Sequence, residues 1–396
     1  MGYFVFYKTL EGHYRCLYNT DRYDTLKDLP DGKDCSYYEC FKGFEANDDG
    51  LMAFKTKLIQ WNDELKGNDI LDIDWFKYYN NLSVVEMTFR RLCKGKYEAF
   101  EEIDRVEANW IEATHNGGLT YCSPGTCDSY GYDYSGFYPT IMGQYKFIMP
   151  YTKGVEKKLT EITDDIELGF YRVKITSSHK HATKMFSFSK NHTYTNISLE
   201  HAIELKETYD FTIELIVDDK PNAYIYPKGK RASSVFGVWL DKLGRIKSKF
   251  PKNKLIKHLM SSLWGSLSRA NHITRTYDQI QAEGLKVGLG ESVDYKIVNQ
   301  VWTNDKEYYF LQDMSKPYRY NFRLKSFLTA YGRVQIARVA EVDLDAVRRI
   351  HTDGIAFNKK MKFNNYMAGL IPEDKTTGLI EWRGVNSYTC LSSRSV

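Results

Sequence analysis

Apolar and polar positions change period several times along the chain, and each change marks an element. In residues 1 to 114, Gly2 to Tyr7 reads as a short aromatic strand, while Leu51 to Leu65 and Ser83 to Leu92 read as helices. Tyr130, Tyr132 and Tyr134 alternate with Gly131, Asp133 and Ser135, the period of a half-buried strand. Pro139 then suits the first turn of a following helix. Asp133 is expected at a strand edge, facing away from the rings beside it.

Downstream the chain turns β-rich over Gly169 to Thr176 and Asp210 to Asp218, with Lys228-Gly-Lys-Arg231 as a basic turn. Ser234 to Lys249 and Asn253 to about Arg269 are helical, and Pro251 breaks between them, so a helical hairpin is expected. On its second helix Ile256, Leu259, Met260, Leu263 and Leu267 share one side, and Lys257, Ser261, Trp264 and Ser268 share another. The first stripe is core; the second is a working face. Residues 270 to 320 read as strands and turns, including Tyr295 to Trp302, a turn at Thr303-Asn-Asp305, and Tyr308 to Leu311. Thr329-Ala-Tyr-Gly-Arg333 is read as opening a helix that also carries Arg338, and helix starts readily meet phosphates. Val347 to Phe357 alternates on both sides of Asp353-Gly354, a dipeptide that favours a tight hairpin with Asp353 at its tip. The fold class that follows is α+β.

With 396 residues, 42% of them hydrophobic, the chain can bury a large core and form more than one lobe. Its formal charge of +4 is too small for a histone-like tail, so any nucleic-acid contact must come from local patches. No apolar run approaches the roughly 20 residues of a membrane span, and Met1 to Cys16 lacks the layout of a signal peptide. An intracellular, membrane-free protein is expected. Seven cysteines, an odd number, argue against a disulfide framework. Cys35/Cys40 and Cys122/Cys127 each enclose four residues, a spacing open to zinc or to ordinary reduced thiols. Asp72 and Asp74 read as a solvated acidic loop, and Gly117-Gly118 as a place where backbone turns sharply or approaches a neighbour closely.

Asp133-x-x-Gly136-x-Tyr138-Pro139 resembles motif A of the family B DNA polymerases, Asp-x-x-Ser-Leu-Tyr-Pro, with Gly136 in place of Ser. Further stretches follow in that family's order. His115-x-Gly117-Gly118 resembles the Tyr-x-Gly-Gly motif of the protein-primed branch, with His115 for Tyr. Lys257-x3-Ser261-Ser262-x-Trp264-Gly265 resembles motif B, with Ser261 for Asn and Trp264 for Tyr. Thr329-x-x-Gly332-Arg333 matches the branch's Thr-x-x-Gly-Arg without departure. His351-Thr-Asp353-Gly354 resembles motif C, where Asp-Thr-Asp is usual, so the second, essential Asp is kept and His351 holds the accessory position. Asn386-Ser-Tyr388 falls where the family has Lys-x-Tyr.

The resemblance implies a right-hand palm of antiparallel sheet and helices, helical fingers, and β-rich insertions. By it, 1–114 is a degenerate exonuclease-like region, 115–145 and 321–396 are palm, 146–232 and 270–320 are insertions, and 233–269 is the fingers. Leu82 and Ser83 stand where a proofreading Asp is expected, so proofreading is expected to be absent. The end of the chain within eight residues of Tyr388 is read as leaving no room for a thumb.

The function implied is template-directed addition of deoxynucleotides to a 3′ hydroxyl. Asp133, Asp353 and the Tyr134 carbonyl are the implied ligands of two Mg²⁺ ions, with Mn²⁺ able to substitute. Two carboxylates from separate strands suit such a pair, because Mg²⁺ takes few protein ligands and fills its octahedron with phosphate oxygens and water. Tyr138 packs beneath the sugar by the same resemblance, Lys257 neutralises the triphosphate, and Ser261 and Trp264 line the nascent base pair. Gly117, Gly118, Thr329, Arg333 and Tyr388 are assigned to template-primer DNA. A terminal protein or a complementary polymerase subunit is the further partner implied. The paired Asp-Asp of reverse transcriptases and RNA replicases is absent; a catalytically decayed, DNA-binding scaffold subunit is the alternative.

Overall fold

Asp133 lies in the interior of a sheet rather than at a strand edge. In the computed structural model six antiparallel strands run in the order Ser387–Ser393, Leu370–Gly384, Gly125–Tyr134, Gly354–Phe357, Val347–His351 and Thr120–Cys122. The tyrosine-rich strand is therefore flanked on both sides, with Gly354 and Ile371 opposite Asp133. Alternation placed its faces correctly. Tyr132 is buried against Phe357 and Phe363, with ring centroids 6.1 and 4.8 Å away. Gly131, on the opposite face, has no room for a side chain, because a Cβ there would overlap Thr376.

The structure describes residues 3–8, 14–19, 48–75, 81–93, 101–114, 117–143, 147–163, 165–267, 269–289, 293–303, 306–318, 322–363 and 370–393. Contacts divide the chain into two units, Ala99–Val235 with Tyr320–Val396, and Met1–Glu98 with Phe236–Arg319. The expected sites at Cys35, Cys40 and His115, the side chains of Leu82 and Ser83, and the turn at Asn304-Asp305 lie outside the described residues.

The first unit holds the six-stranded sheet. The helix Phe322–Ala340 is buried along nearly its whole length and packs on the short helix Phe137–Met142. Gly332 permits that approach, since a Cβ there would stand 3.1 Å from Phe137 and 3.4 Å from Tyr138. Near its start Arg323 forms two 2.8 Å hydrogen bonds to Glu107, and both residues are fully buried. Tyr226 donates to Glu107 at 3.0 Å and Arg323 to the Tyr151 carbonyl at 3.1 Å, so the buried charges are satisfied. A second sheet joins Val155–Lys157, Ala223–Ile225, Gly169–Ser177 and Thr193–Thr195, with Phe211–Leu215 on the far part of Gly169–Ser177. The basic turn expected at residues 228–231 is instead a strand, Gly229–Arg231, paired with Ile148–Pro150.

The second unit holds the helical hairpin, Ala232–Lys249 with Lys254–Ser266; the first of these helices begins four residues before the unit boundary. Asn253 caps the second helix by accepting from Leu255 N–H at 3.0 Å, and its amide donates to Trp61 O and Glu64 Oε2 of the helix Asp48–Leu65. Ile256, Leu259, Leu263 and Leu267 are buried as the periodicity predicts, and Phe89 packs on Phe236 and Trp239. A four-stranded sheet completes the unit, in the order His272–Thr276, Lys306–Asp313, Tyr295–Thr303 and Val287–Gly288. Asp72 and Asp74 serve as loop acceptors, for Gly67 N–H and the Asn62 amide. Among the described residues no helix is long and apolar enough to cross a membrane.

Candidate active site

Strand pairing alone brings Asp133 and Asp353 together. His351 pairs with Gly354, Gly354 pairs with Asp133, and the Tyr134 N–H donates to the Asp353 carbonyl at 3.0 Å. The hairpin differs from the expected one in a single respect. Its corner residues are Thr352 and Asp353, and Gly354 already belongs to the returning strand. Thr352 has φ 62° while the Asp353 N–H donates to the His351 carbonyl at 2.8 Å, a γ-turn with positive central φ. A β-branched residue rarely adopts that conformation, so its surroundings must hold it there. Leu119 O accepts from Thr352 N–H at 2.9 Å, and Gly118 lies so close that a Cβ would sit 2.5 Å from Thr352 Oγ1. Gly354 has a comparable reason to be glycine: a Cβ would meet Asp133 Oδ1 at 3.1 Å.

Arg333 and Thr329 are not at a helix start. They lie in the middle of Phe322–Ala340, both buried, and Thr329 Oγ1 donates to the Lys325 carbonyl. The Arg333 guanidinium donates to the Gly117 carbonyl at 2.8 Å and to Ser198 Oγ at 3.4 Å. Thr-x-x-Gly-Arg thus acts inside the protein: Gly332 admits the Phe137 and Tyr138 rings, and Arg333 holds the glycine loop that braces Thr352.

The electrostatics follow from this enclosure. Burial, then the charges of Asp353 and Glu373, push the Asp133 carboxyl up to about 6, against the pull of Lys375 and Arg349. Burial also raises Asp353. Tyr138 is buried, and its hydroxyl is pushed up to about 12 by burial and by Asp353, against Arg333. Burial lowers His351, with the Arg349 charge adding to it. Two carboxylates whose pKa values burial and nearby like charge raise are a donor set a hard divalent cation relieves. Among the described residues no group of three or more His, Cys, Asp and Glu side chains forms a ready cage. Asp133 and Asp353 are the carboxylates here that could hold such a cation, with its other positions open.

Glu373 and Lys375 escaped the sequence reading, because Pro372 to Gly378 looks like an ordinary polar loop. It is a bulge in the strand Leu370–Gly384, laid against Ser129 and Gly131. Glu373 pairs with Lys375 at 2.6 Å and accepts from Thr376 at 2.7 Å. Arg349 was also missed: a strand arginine has no sequence signature until its register is known. It donates to the Val385 carbonyl at 2.7 Å and stacks over Trp382 and Tyr388 at 5.6 and 5.7 Å. Tyr388 is half-buried on Trp382, 5.0 Å between centroids. Cys122 and Cys127 are thiols packed near Trp382, and burial raises both.

Lys257, Ser261 and Trp264 belong to the other unit. Lys257 and Ser261 are exposed, with Ser261 Oγ donating to the Lys257 carbonyl, and Trp264 is half-buried. Beside them the half-buried His258 is lowered to about 4 by desolvation, with Ser262 Oγ 3.2 Å from its Nε2.

Solved structures of Phi29 DNA polymerase share this arrangement of elements. Against the complex with single-stranded DNA the TM-score is 0.58 at 15% identity, over 86% of this chain and 57% of that one. Its fold is DNA polymerase-like. Against the ternary complex with primer-template DNA and incoming nucleotide substrates the polymerase-like fold scores 0.58 at 14% identity, over 87% and 59%. Against an orthorhombic crystal form it scores 0.52 at 14% identity, over 80% and 53%. The chain thus spans 53–59% of the length of those polymerases. No protein-family model and no curated protein matches the sequence.

Proposed function

We propose that the chain is a template-directed DNA polymerase of the protein-primed family B kind, adding deoxynucleotides to a primer 3′ hydroxyl. The observation that carries this reading is the pairing of Asp133 with Gly354, which sets two partly buried carboxylates side by side in a polymerase-like fold. Asp133, Asp353 and the Tyr134 carbonyl are the groups that would hold divalent cations, Mg²⁺ by preference. When bound, such ions polarise phosphate oxygens and offset the charge that develops during phosphoryl transfer. The protein's own share is positioning. The γ-turn fixes Asp353, and Gly354 leaves space for the Asp133 carboxylate; Lys257, in the other unit, is assigned to the triphosphate by its motif B position alone. Tyr138 is assigned to the face of the sugar. The template-primer and dNTPs are the partners. Lack of proofreading belongs to the same reading, since Leu82 and Ser83 stand where a proofreading Asp is expected.

Primer extension by the purified chain, with Mg²⁺ and separately with Mn²⁺, tests this. Templated addition is the expected result. Tight primer-template binding with no addition under either ion would replace it with the scaffold reading.

A further inference from the structure

The polymerase reading leaves His351 unexplained, because it stands where an accessory carboxylate is usual. Its surroundings settle its chemistry. Arg349 Nη2 lies 3.1 Å from His351 Nδ1. A guanidinium is always protonated and only donates, so Nδ1 must be the acceptor. The imidazole is then neutral, with its proton on Nε2. Arg349 cannot easily swing away: it is buried, tied to the Val385 carbonyl at 2.7 Å, and stacked over Trp382 and Tyr388. The His351 backbone is equally fixed, since its carbonyl accepts from Asp353 and it pairs with Gly354.

A ring in this state has no lone pair left for a cation. One nitrogen is engaged by Arg349 and the other carries hydrogen. Nε2 has no protein partner among the described residues, and the ring stands within electrostatic reach of Asp353, Glu373 and Lys375. We propose that His351 is a hydrogen-bond donor to a phosphate oxygen at this site, not a cation ligand, and that Arg349 is the residue that positions it. The proposal rests on the polymerase reading for the identity of the phosphate, which belongs to the nucleotide, to the primer strand or to released pyrophosphate. The tautomer rests on geometry alone.

The test has two parts. In protein labelled with ¹⁵N-histidine, the His351 resonances of the intact chain should show Nε2–H and an unprotonated Nδ1, and Arg349→Met should mix the tautomers while Arg349→Lys mixes them less. Pulsed electron paramagnetic resonance of the Mn²⁺-loaded chain should show no directly bound imidazole nitrogen. An Nδ1–H tautomer, or a directly bound nitrogen, would overturn the proposal without needing any variant to fold. The ligand is identified by equilibrium titration with pyrophosphate, dNTP and primer-template in the presence of Mg²⁺. His351→Gln, whose amide can donate from the place of Nε2, should keep the affinity for one of them, and His351→Asp should lose roughly tenfold. Equal affinities in both variants for all three would refute the phosphate contact. Absence of primer extension by the unaltered chain would instead remove the polymerase reading and leave the tautomer and manganese results standing.

Discussion

Arg333 donates to the carbonyl of Gly117 across 216 residues of sequence, and through that bond a buried helix supports the corner that carries Asp353. The chain of dependence runs from Arg333 to Gly117, from Gly118 to Thr352, and from the strained Thr352 to Asp353.

Arg333→Met should therefore impair incorporation out of proportion to its effect on DNA binding. It removes a part-buried hydrogen bond to the carbonyl of the exposed Gly117, a loss of about 1 kcal/mol. Gly118→Ala should act in the same direction, because its methyl group displaces Thr352. Thermal melting together with single-nucleotide incorporation checks this. Full activity in both variants would show that the corner holds itself.

The Glu107–Arg323 pair makes a separate prediction about stability. Removing one partner strands a fully buried charge and should cost about 3–5 kcal/mol, measured by urea unfolding. Replacing both, as Glu107→Gln with Arg323→Met, should recover much of that loss.

The candidate site should make the metal-free chain pH-sensitive. The Asp133 carboxyl is raised from 3.8 to about 6, so the fold favours its protonated form. That stabilisation is complete below the unfolded value and is lost as the pH rises through about 6. Going from pH 5 to pH 7.5, the metal-free chain should lose on the order of 1 kcal/mol of stability relative to Asp133→Asn in thermal melting, after allowance for solvent screening; His258, lowered to about 4, acts in the opposite sense and equally in both chains. Asp133→Asn should remove that step and be the more stable form at pH 7.5. In the unaltered chain, Mn²⁺ affinity should fall about tenfold per pH unit below that pKa, because the cation competes with a proton.

Sugar discrimination gives a fourth outcome. Tyr138 is buried beside Gly332 and within reach of Asp353, so its ring occupies volume next to the candidate site. Tyr138→Val should incorporate ribonucleotides more readily, by a steric route. Unchanged discrimination would place the selection elsewhere.

Much of this was legible in the sequence where local period decides the outcome. The alternation at Tyr130 to Tyr134 gave the faces of the strand, and the leucine stripe of residues 256–267 gave the buried side of its helix. What stayed hidden depends on contacts between distant residues. Period two cannot tell a central strand from an edge, so the interior position of Asp133 follows only from its two flanking strands. Thr329 to Arg333 looks like a helix start because its burial is invisible until Phe137 packs against Gly332. Asp-Gly suggested the wrong corner pair, because Gly354 is small for the sake of the Asp133 carboxylate, not for a turn. Glu373, Lys375 and Arg349 join the site only through register.

Asp133 and Asp353 are proposed as the two acids of a polymerase site, with His351 not a third ligand. Single-nucleotide incorporation by Asp133→Asn, Asp353→Asn and His351→Ala, each with Mg²⁺, tests it most directly. The two aspartate variants should lose on the order of 10³-fold or more with primer-template binding nearly intact, and His351→Ala should lose far less. A His351→Ala chain as inactive as Asp353→Asn, or an Asp133→Asn chain that still extends primers at the normal rate, would contradict the account.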